Sequence, residues 1–453
     1  MDEGLERCLD QLQRAADINT LLCYSHTYHI GYNTPPQVMA QDHGIEVRDM
    51  RQRNLPRVWV RHDPKRYRDS IIKHQVLDSR YEYHNRDLFA ELIEPARERG
   101  MKIHARILEA GMSRAEFLPG YEQVAAIDLD GKKSHGPCWN HPAYRQWLQL
   151  SVEEMLEQYP LDGLQYGAER VGALSETLFR GIPASCFCSY CLARNQSKGI
   201  DAVRAKQGYR ELDALIRSLE AGHPPPADGV LVQVFSIMME YPEVLSWYRE
   251  WLHADLEIGK LLSETVKRVR PSTEFGAHID HQRSSWDIFY RAAIRYSEIA
   301  SYCDYVKPIL YHDILGPRLR WWVVEEMNGR VFSDFTREQT LAGLYAILGH
   351  DPAEQPNLAA LPDRGLGPDY VYRETKRCVD GVAGAAKVYS GIGLDVPWHA
   401  PQGLAPFASD PEVLYQSCCR AIDAGADGLI ASREYEEMRI SSLEAFGRAL
   451  RTS

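Results

Sequence analysis

Eight turn-bounded, β-rich segments separated by long amphipathic stretches run from one end of the chain to the other, and this alternation limits the fold more than any other feature. They read NTLLCYSH, RVWVRH, KIHARILE, GLQYGAE, EFGAHID, YVKPILYH, KVYSGIGLD and DGLIASRE. Strands that alternate with helical patterns over 453 residues predict an α/β protein with a parallel sheet and crossover helices. Eight such units predict closure into a (β/α)8 TIM barrel.

The linking helices carry their own stop signals. In DLFAELIEPARERG the apolar residues fall at helical spacing and Gly100 follows the last turn, and AIDAGADG repeats the device at Gly425. A single barrel over residues 1–453 is expected, with insertions over about 171–272 and 313–386. The run from 192 to 272 is too long for one crossover and should carry extra helices. Extended βα loops are where barrel enzymes build their pockets.

Charge narrows the partners. With 52 Lys+Arg against 63 Asp+Glu, the net charge of -11 leaves no basic face for a phosphate backbone, so nucleic acid is excluded. Repulsion from anionic headgroups, and the lack of an apolar run near the roughly 18 residues of a spanning helix, argue against a membrane. The opening MDEGLERCLDQLQRAADINT is acidic and lacks a signal-peptide pattern, so a cytoplasmic location is expected, and a homo-oligomer is compatible with it.

Functional residues of a barrel sit at the carboxyl ends of its strands. Read that way, the segments deliver His26, then Arg61 and His62, then His104, Arg106 and Glu109, then Tyr166, Glu169 and Arg170. The later ones deliver His278, Asp280 and His281, then Lys307, Tyr311, His312 and Asp313, then Asp395 and Trp398, and finally Arg433 and Glu434. Burying so many polar groups for structure alone costs about 1–3 kcal/mol for each one left unsatisfied, so a pocket for a polar substrate explains the set better. A carbohydrate fits the chemistry, because charged side chains bond its hydroxyls while Trp and Tyr faces lie against its C–H side.

The cysteines are the most specific local feature. Cys186, Cys188 and Cys191 crowd into CFCSYC, which favours a metal over disulfides. Three thiolates from one tight turn supply three of the four soft ligands of a structural zinc, and Cys138 in GPCWNHPAYRQW is the best fourth. No organic cofactor is expected.

A Cys before N-H-P-A-Y-R, a helix, a strand ending in Glu and a C-x-C-x-x-C loop together resemble the same block of the glycoside hydrolase family 42 β-galactosidases over residues 136–200. Elsewhere the likeness is one of architecture. The resemblance implies that Cys138, Cys186, Cys188 and Cys191 bind structural zinc and that Glu169 is the general acid/base of a glycosidase. Two departures stand out: Ala168 replaces the family's Asn before the acid/base, and Asp395 stands where its nucleophile Glu is expected.

Glycoside hydrolysis needs a protonated carboxylic acid and a second carboxylate facing it. Glu169 takes the first role and Asp395 is the positional choice for the second, with Asp313, Asp280 and Glu434 as alternatives in that order. His26, His104, Arg106, Tyr166, His278, Lys307, Tyr311, His312, Trp398 and Arg433 are the expected substrate contacts, with Asp280 and Glu434 beside them. Arg170 would oppose an acid next to it, but neighbouring strand residues face opposite ways, which turns it aside. Two other classes stay open: a metal-dependent sugar isomerase, epimerase or lyase using His26, His104, His278 and His312 as ligands, and a carbohydrate-binding barrel without catalysis.

Overall fold

The computed structural model describes residues 3–27, 42–44, 57–74, 86–109, 118–400, 403–405 and 408–452. Seven of the eight β-rich segments form one parallel sheet. Its strands are β1 (Thr20–Tyr24), β2 (Lys102–Leu108), β3 (Gly163–Gly167), β4 (Glu274–Ile279), β5 (Tyr305–Leu310), β6 (Lys387–Gly393) and β7 (Gly428–Ser432), hydrogen-bonded in chain order. RVWVRH is the exception: only Arg57–Val58 is extended, and it pairs antiparallel with His26–Thr27 just beyond β1. β1 therefore lies directly against β2, with Leu22 opposite His104.

Side-chain contacts across the inner face require the sheet to curl. Strands are spaced about 4.8 Å apart, which would set β2 and β5 about 14 Å apart if it were flat. Instead His104 Nδ1 lies 3.2 Å from the Tyr305 hydroxyl. Likewise Lys307 on β5 donates to Ser432 Oγ on β7 at 2.8 Å. β1 and β7 exchange no hydrogen bonds among the described residues, so the expected closed eight-stranded barrel is corrected to a curled, TIM-like half-barrel of seven strands.

The helices start and stop where local chemistry directs. Helix α1 (Leu5–Ala16) is followed by α2 (Leu88–Glu98), which is capped by the Asp87 carboxylate accepting from the Ala90 amide. Gly100, at φ 69°, ends α2 as expected, with Met101 N returning to Ala96 O. Gly425, at φ 93°, does the same after the helix Pro411–Asp423. α3 (Pro142–Gln158) and α4 (Glu243–Val269) pack together, burying Leu148, Met155, Ile258 and Leu262, each worth about 1.5–3 kcal/mol. Five helices occupy residues 171–272, as the length of that stretch requires. The last helix, α5 (Ile440–Thr452), lies on α1 so tightly that a β-carbon on Gly447 would sit 2.3 Å from the Ala15 carbonyl oxygen. No helix of the described residues is long and apolar enough to cross a membrane.

Candidate active site

Alternation along β3 decides what faces the interior. Gly163 and Gly167 leave room for two rings: a β-carbon on the first would lie 2.4 Å from His104, and on the second 2.6 Å from His278. Gln165 shares their face and donates to the Tyr305 hydroxyl at 3.3 Å. Leu164 and Tyr166 face the other way. Tyr166, expected in the pocket, shares a small cavity with Asp255, Arg283 and Tyr302 on the helical side, which corrects that expectation.

Two residues beyond β3, Glu169 returns to the inner face. Its Oε1 lies 3.4 Å from His278 Nε2 and 3.8 Å from Arg106, and the side chain keeps 43% of its surface open to solvent. Partial desolvation by the surrounding protein pushes the carboxyl upward, but the His278 hydrogen bond and the Arg106 charge outweigh it, and the net shift is downward. Burial next to Arg106 holds the His278 imidazole down to about 3, so it is neutral at neutral pH. Arg170 turns away as the strand geometry predicts: it pairs with the buried Glu109 at 2.6 Å and lies over the Trp139 ring.

Five strands add to the same interior. The Arg106 guanidinium lies over the Tyr24 ring at 4.6 Å. Burial, aided by Arg106, lowers the Lys307 ammonium well below its ordinary range, and Ser432 Oγ also lies 3.2 Å from the Tyr311 hydroxyl. Asp280 lies 3.4 Å from His281, whose other nitrogen accepts from Arg318 at 2.9 Å. Past β7, Arg433 pairs with Glu434 at 2.9 Å and also with Glu437. Burial and the neighbouring Glu434 charge raise the Glu437 carboxyl, while Arg433 helps hold Glu434 low against its own burial. Two such carboxyls share one proton at neutral pH. A neutral imidazole, guanidinium groups and ionised carboxylates thus gather on the inner face of the sheet, a set that can hydrogen-bond a polyhydroxylated ligand.

Other expected residues lie elsewhere. Asp395, at φ 51° and with only 4% of its side chain exposed, accepts from Ser409 N, Arg439 N and Arg439 Nε at 2.8–2.9 Å. Ser409 Oγ donates to Asp313, so both aspartates tie the loops after β5 and β6 to the start of α5. No hydrogen bond or ion pair among the described residues joins either of them to Glu169. His312 is buried in the loop after β5, its main-chain carbonyl accepting from Leu366 N. His104 sits at the amino-terminal end of the sheet, 3.7 Å from Glu274. His26 joins His62 and His74 instead of Glu169. Trp398 begins a short antiparallel pair with residues 403–405, and its side chain lies outside the described residues. The four histidines considered as barrel-mouth ligands form no common ligand group among the described residues.

Sequence reasoning missed Tyr24, Arg318, Ser432 and Glu437 as pocket components, and named His281 at its strand end without counting it among the substrate contacts. Glu437 carried a signal, since it falls four residues after Arg433. Arg318 carried none, because it comes from a helix inserted after β5.

The cysteine expectation is met in geometry. One sulfur from each of Cys138, Cys186, Cys188 and Cys191 lies within 4.8 Å of the other three. Cys138 Sγ is 3.4 Å from Cys188 Sγ and 3.5 Å from Cys191 Sγ. A tetrahedral zinc with Zn–S bonds of about 2.3 Å sets its sulfurs about 3.8 Å apart, close to these separations and far from the ~2.05 Å of a disulfide. The Ile127 amide donates to Cys186 Sγ and the Asn140 side chain to Cys191 Sγ, both at 3.3 Å, as thiolate ligands accept.

No protein-family model and no curated protein matches this chain. Among solved structures, it is similar to the PgaB (BpsB) glycoside hydrolase domain of Bordetella bronchiseptica, at 11% identity over 95% of this chain and 88% of that one, TM-score 0.43. It is also similar to the β-galactosidase of the psychrophile Marinomonas ef1, at 13% identity over 96% of this chain and 59% of that one, TM-score 0.48. A third is a catalytic mutant of a family 42 β-galactosidase from G. stearothermophilus, at 12% identity over 82% of this chain and 49% of that one, TM-score 0.44. The chain thus spans about half the length of these β-galactosidases.

Proposed function

We propose that this protein is a glycoside hydrolase whose two carboxylates are Glu169 and Glu434. The observation that carries the reading is the setting of Glu169: a solvent-reachable carboxylate on the inner face, held by His278 and Arg106. Glu434 answers it from beyond β7, four strands away in the sheet order, with 31% of its side chain exposed. Its charge reaches Arg106 as that of Glu169 does. Asp395, favoured on position alone, is consumed by Ser409 and Arg439 and serves the loops.

The protonation states divide the labour. Glu169 is ionised and serves as nucleophile or base, while the proton that the raised Glu437 carboxyl retains passes through its ionised neighbour Glu434 to the leaving oxygen. This reverses the role that the family resemblance implies for Glu169. Arg106, His278, Lys307, Tyr311 and Arg433 hold sugar hydroxyls. The four cysteines hold a structural zinc, which would tie the turn before α3 to the loop after β3 and supply no chemistry to the pocket.

The test is hydrolysis of aryl glycosides with good and poor leaving groups. Glu434→Gln should lose about two or more orders of magnitude on poor leaving groups and little on good ones, whereas Glu169→Gln should lose comparably on both. The opposite pattern would return the acid role to Glu169. Near-normal turnover by both variants would remove the reading.

A further inference from the structure

Outside the pocket, His26, His62 and His74 converge from the end of β1 and from the 57–74 segment, with one ring nitrogen of each within 4.8 Å of the others. His26 Nε2 and His62 Nε2 face each other at 2.6 Å, and the His62 and His74 rings stack with centroids 3.5 Å apart. Each ring gives its other nitrogen to a protein oxygen. His26 Nδ1 meets Ser25 Oγ at 2.9 Å, His74 Nε2 meets Ser151 Oγ at 3.0 Å, and His62 Nδ1 bonds the Glu154 carboxylate. Ser151 and Glu154 lie three residues apart on α3, so one helical face orients two of the rings.

Charge separates this cluster from an ordinary set of core histidines. The Glu154 side chain is only 3% exposed and accepts from the Tyr67 hydroxyl and the Asp63 amide. No Lys or Arg pairs with it among the described residues, where its one ion-pair partner is His62. A buried carboxylate behind a ligand imidazole, with further imidazole lone pairs beside it, is the arrangement that fixes the tautomer of a metal-binding histidine. A dication would supply the missing charge and part the facing nitrogens to about 3.3 Å, the spacing set by metal–nitrogen bonds of about 2.0–2.1 Å.

We propose that His26, His62 and His74 bind a divalent transition-metal ion of the zinc class, with Glu154 orienting His62. Imidazole nitrogens select borderline ions of this kind over magnesium or calcium. The ion would fasten the 57–74 segment, largely without regular secondary structure, to β1 and α3. This site is separate from the cysteine cluster and independent of the glycosidase reading.

The probe is cobalt(II) added to the full chain after chelator stripping, followed by metal analysis and absorption spectra. Two equivalents are expected, only one of them showing thiolate charge transfer. The double variant Cys138→Ser, Cys191→Ser should keep one equivalent with d–d bands and no thiolate band. His62→Ala should lose that equivalent while retaining the thiolate-bound one. Glu154→Gln should weaken the nitrogen site by about 10–100-fold. Should His62→Ala fail to fold, copper(II) spin resonance of the cysteine double variant decides through nitrogen hyperfine splitting. One equivalent in the unmodified protein, bound wholly through thiolate and indifferent to His74→Gln, would overturn the proposal and leave His62 and Glu154 as an ion pair.

Discussion

The backbone at Gly167 passes so close to the His278 imidazole that a β-carbon there would lie 2.6 Å from the ring. Replacement by alanine would push on the His278 ring and so displace the group that holds Glu169, leaving both residues themselves unchanged. We expect Gly167→Ala to lower kcat/KM by about tenfold or more while the melting temperature changes far less, since small misplacements of reacting groups are costly. Steady-state kinetics beside a thermal melt checks this.

Arg106 helps keep the Glu169 carboxyl low. Replacing Arg106 by Met should therefore move the acidic limb of the kcat/KM profile to higher pH, because the carboxylate then gains its proton earlier. A profile whose acidic limb stays in place would assign that limb to another group.

His278 titrates near 3 in the folded protein, against an ordinary value of 6.5 when unfolded. The unfolded chain thus takes up the proton first as pH falls, so stability is complete above about 6.5 and drains away below it. From this residue alone the loss is about 2 kcal/mol at pH 5, at about 1.4 kcal/mol per unit. Urea midpoints measured from pH 7.5 to 5 should fall, and His278→Gln should flatten the slope.

Asp395 is the charge partner of Arg439 in a buried network with Ser409 and Asp313. Removing it by Asp395→Ala should cost about 3–5 kcal/mol of stability, as for other buried pairs broken on one side. The folded fraction should keep its kcat at low temperature. A kcat loss without a stability loss would instead make Asp395 a reacting carboxylate.

Cys138→Ser should remove one equivalent of zinc and lower the melting temperature, and the variant's melt should lose the part of the chelator response due to the cysteine site. Metal analysis and paired melts with and without chelator read both effects.

The alternation of elements was legible because seven apolar runs pair only with their chain neighbours. RVWVRH carries the same local signal, yet its partner, His26–Thr27, is set by the path of the chain and not by composition. The cysteine tetrad was legible because three ligands share one turn and the fourth precedes α3. Within the pocket, strand parity would have removed Tyr166 from the contacts, since Gly167 and Gln165 share the opposite face. Asp395 and Glu434 could not be ranked, because both follow strands and only tertiary contacts reveal which has its acceptors consumed. His26 lies well upstream of His62 and His74, and the three match no short metal-ligand motif, so no spacing announced their meeting.

Glu169 and Arg170 stand side by side at the end of β3 and look into different halves of the molecule. Deleting one residue upstream in that strand would exchange them, putting a cation into the cavity and an anion among the helices. The sequence at this edge can therefore drift by substitution but not by sliding, and its length is as much a part of the chemistry as the carboxylate itself.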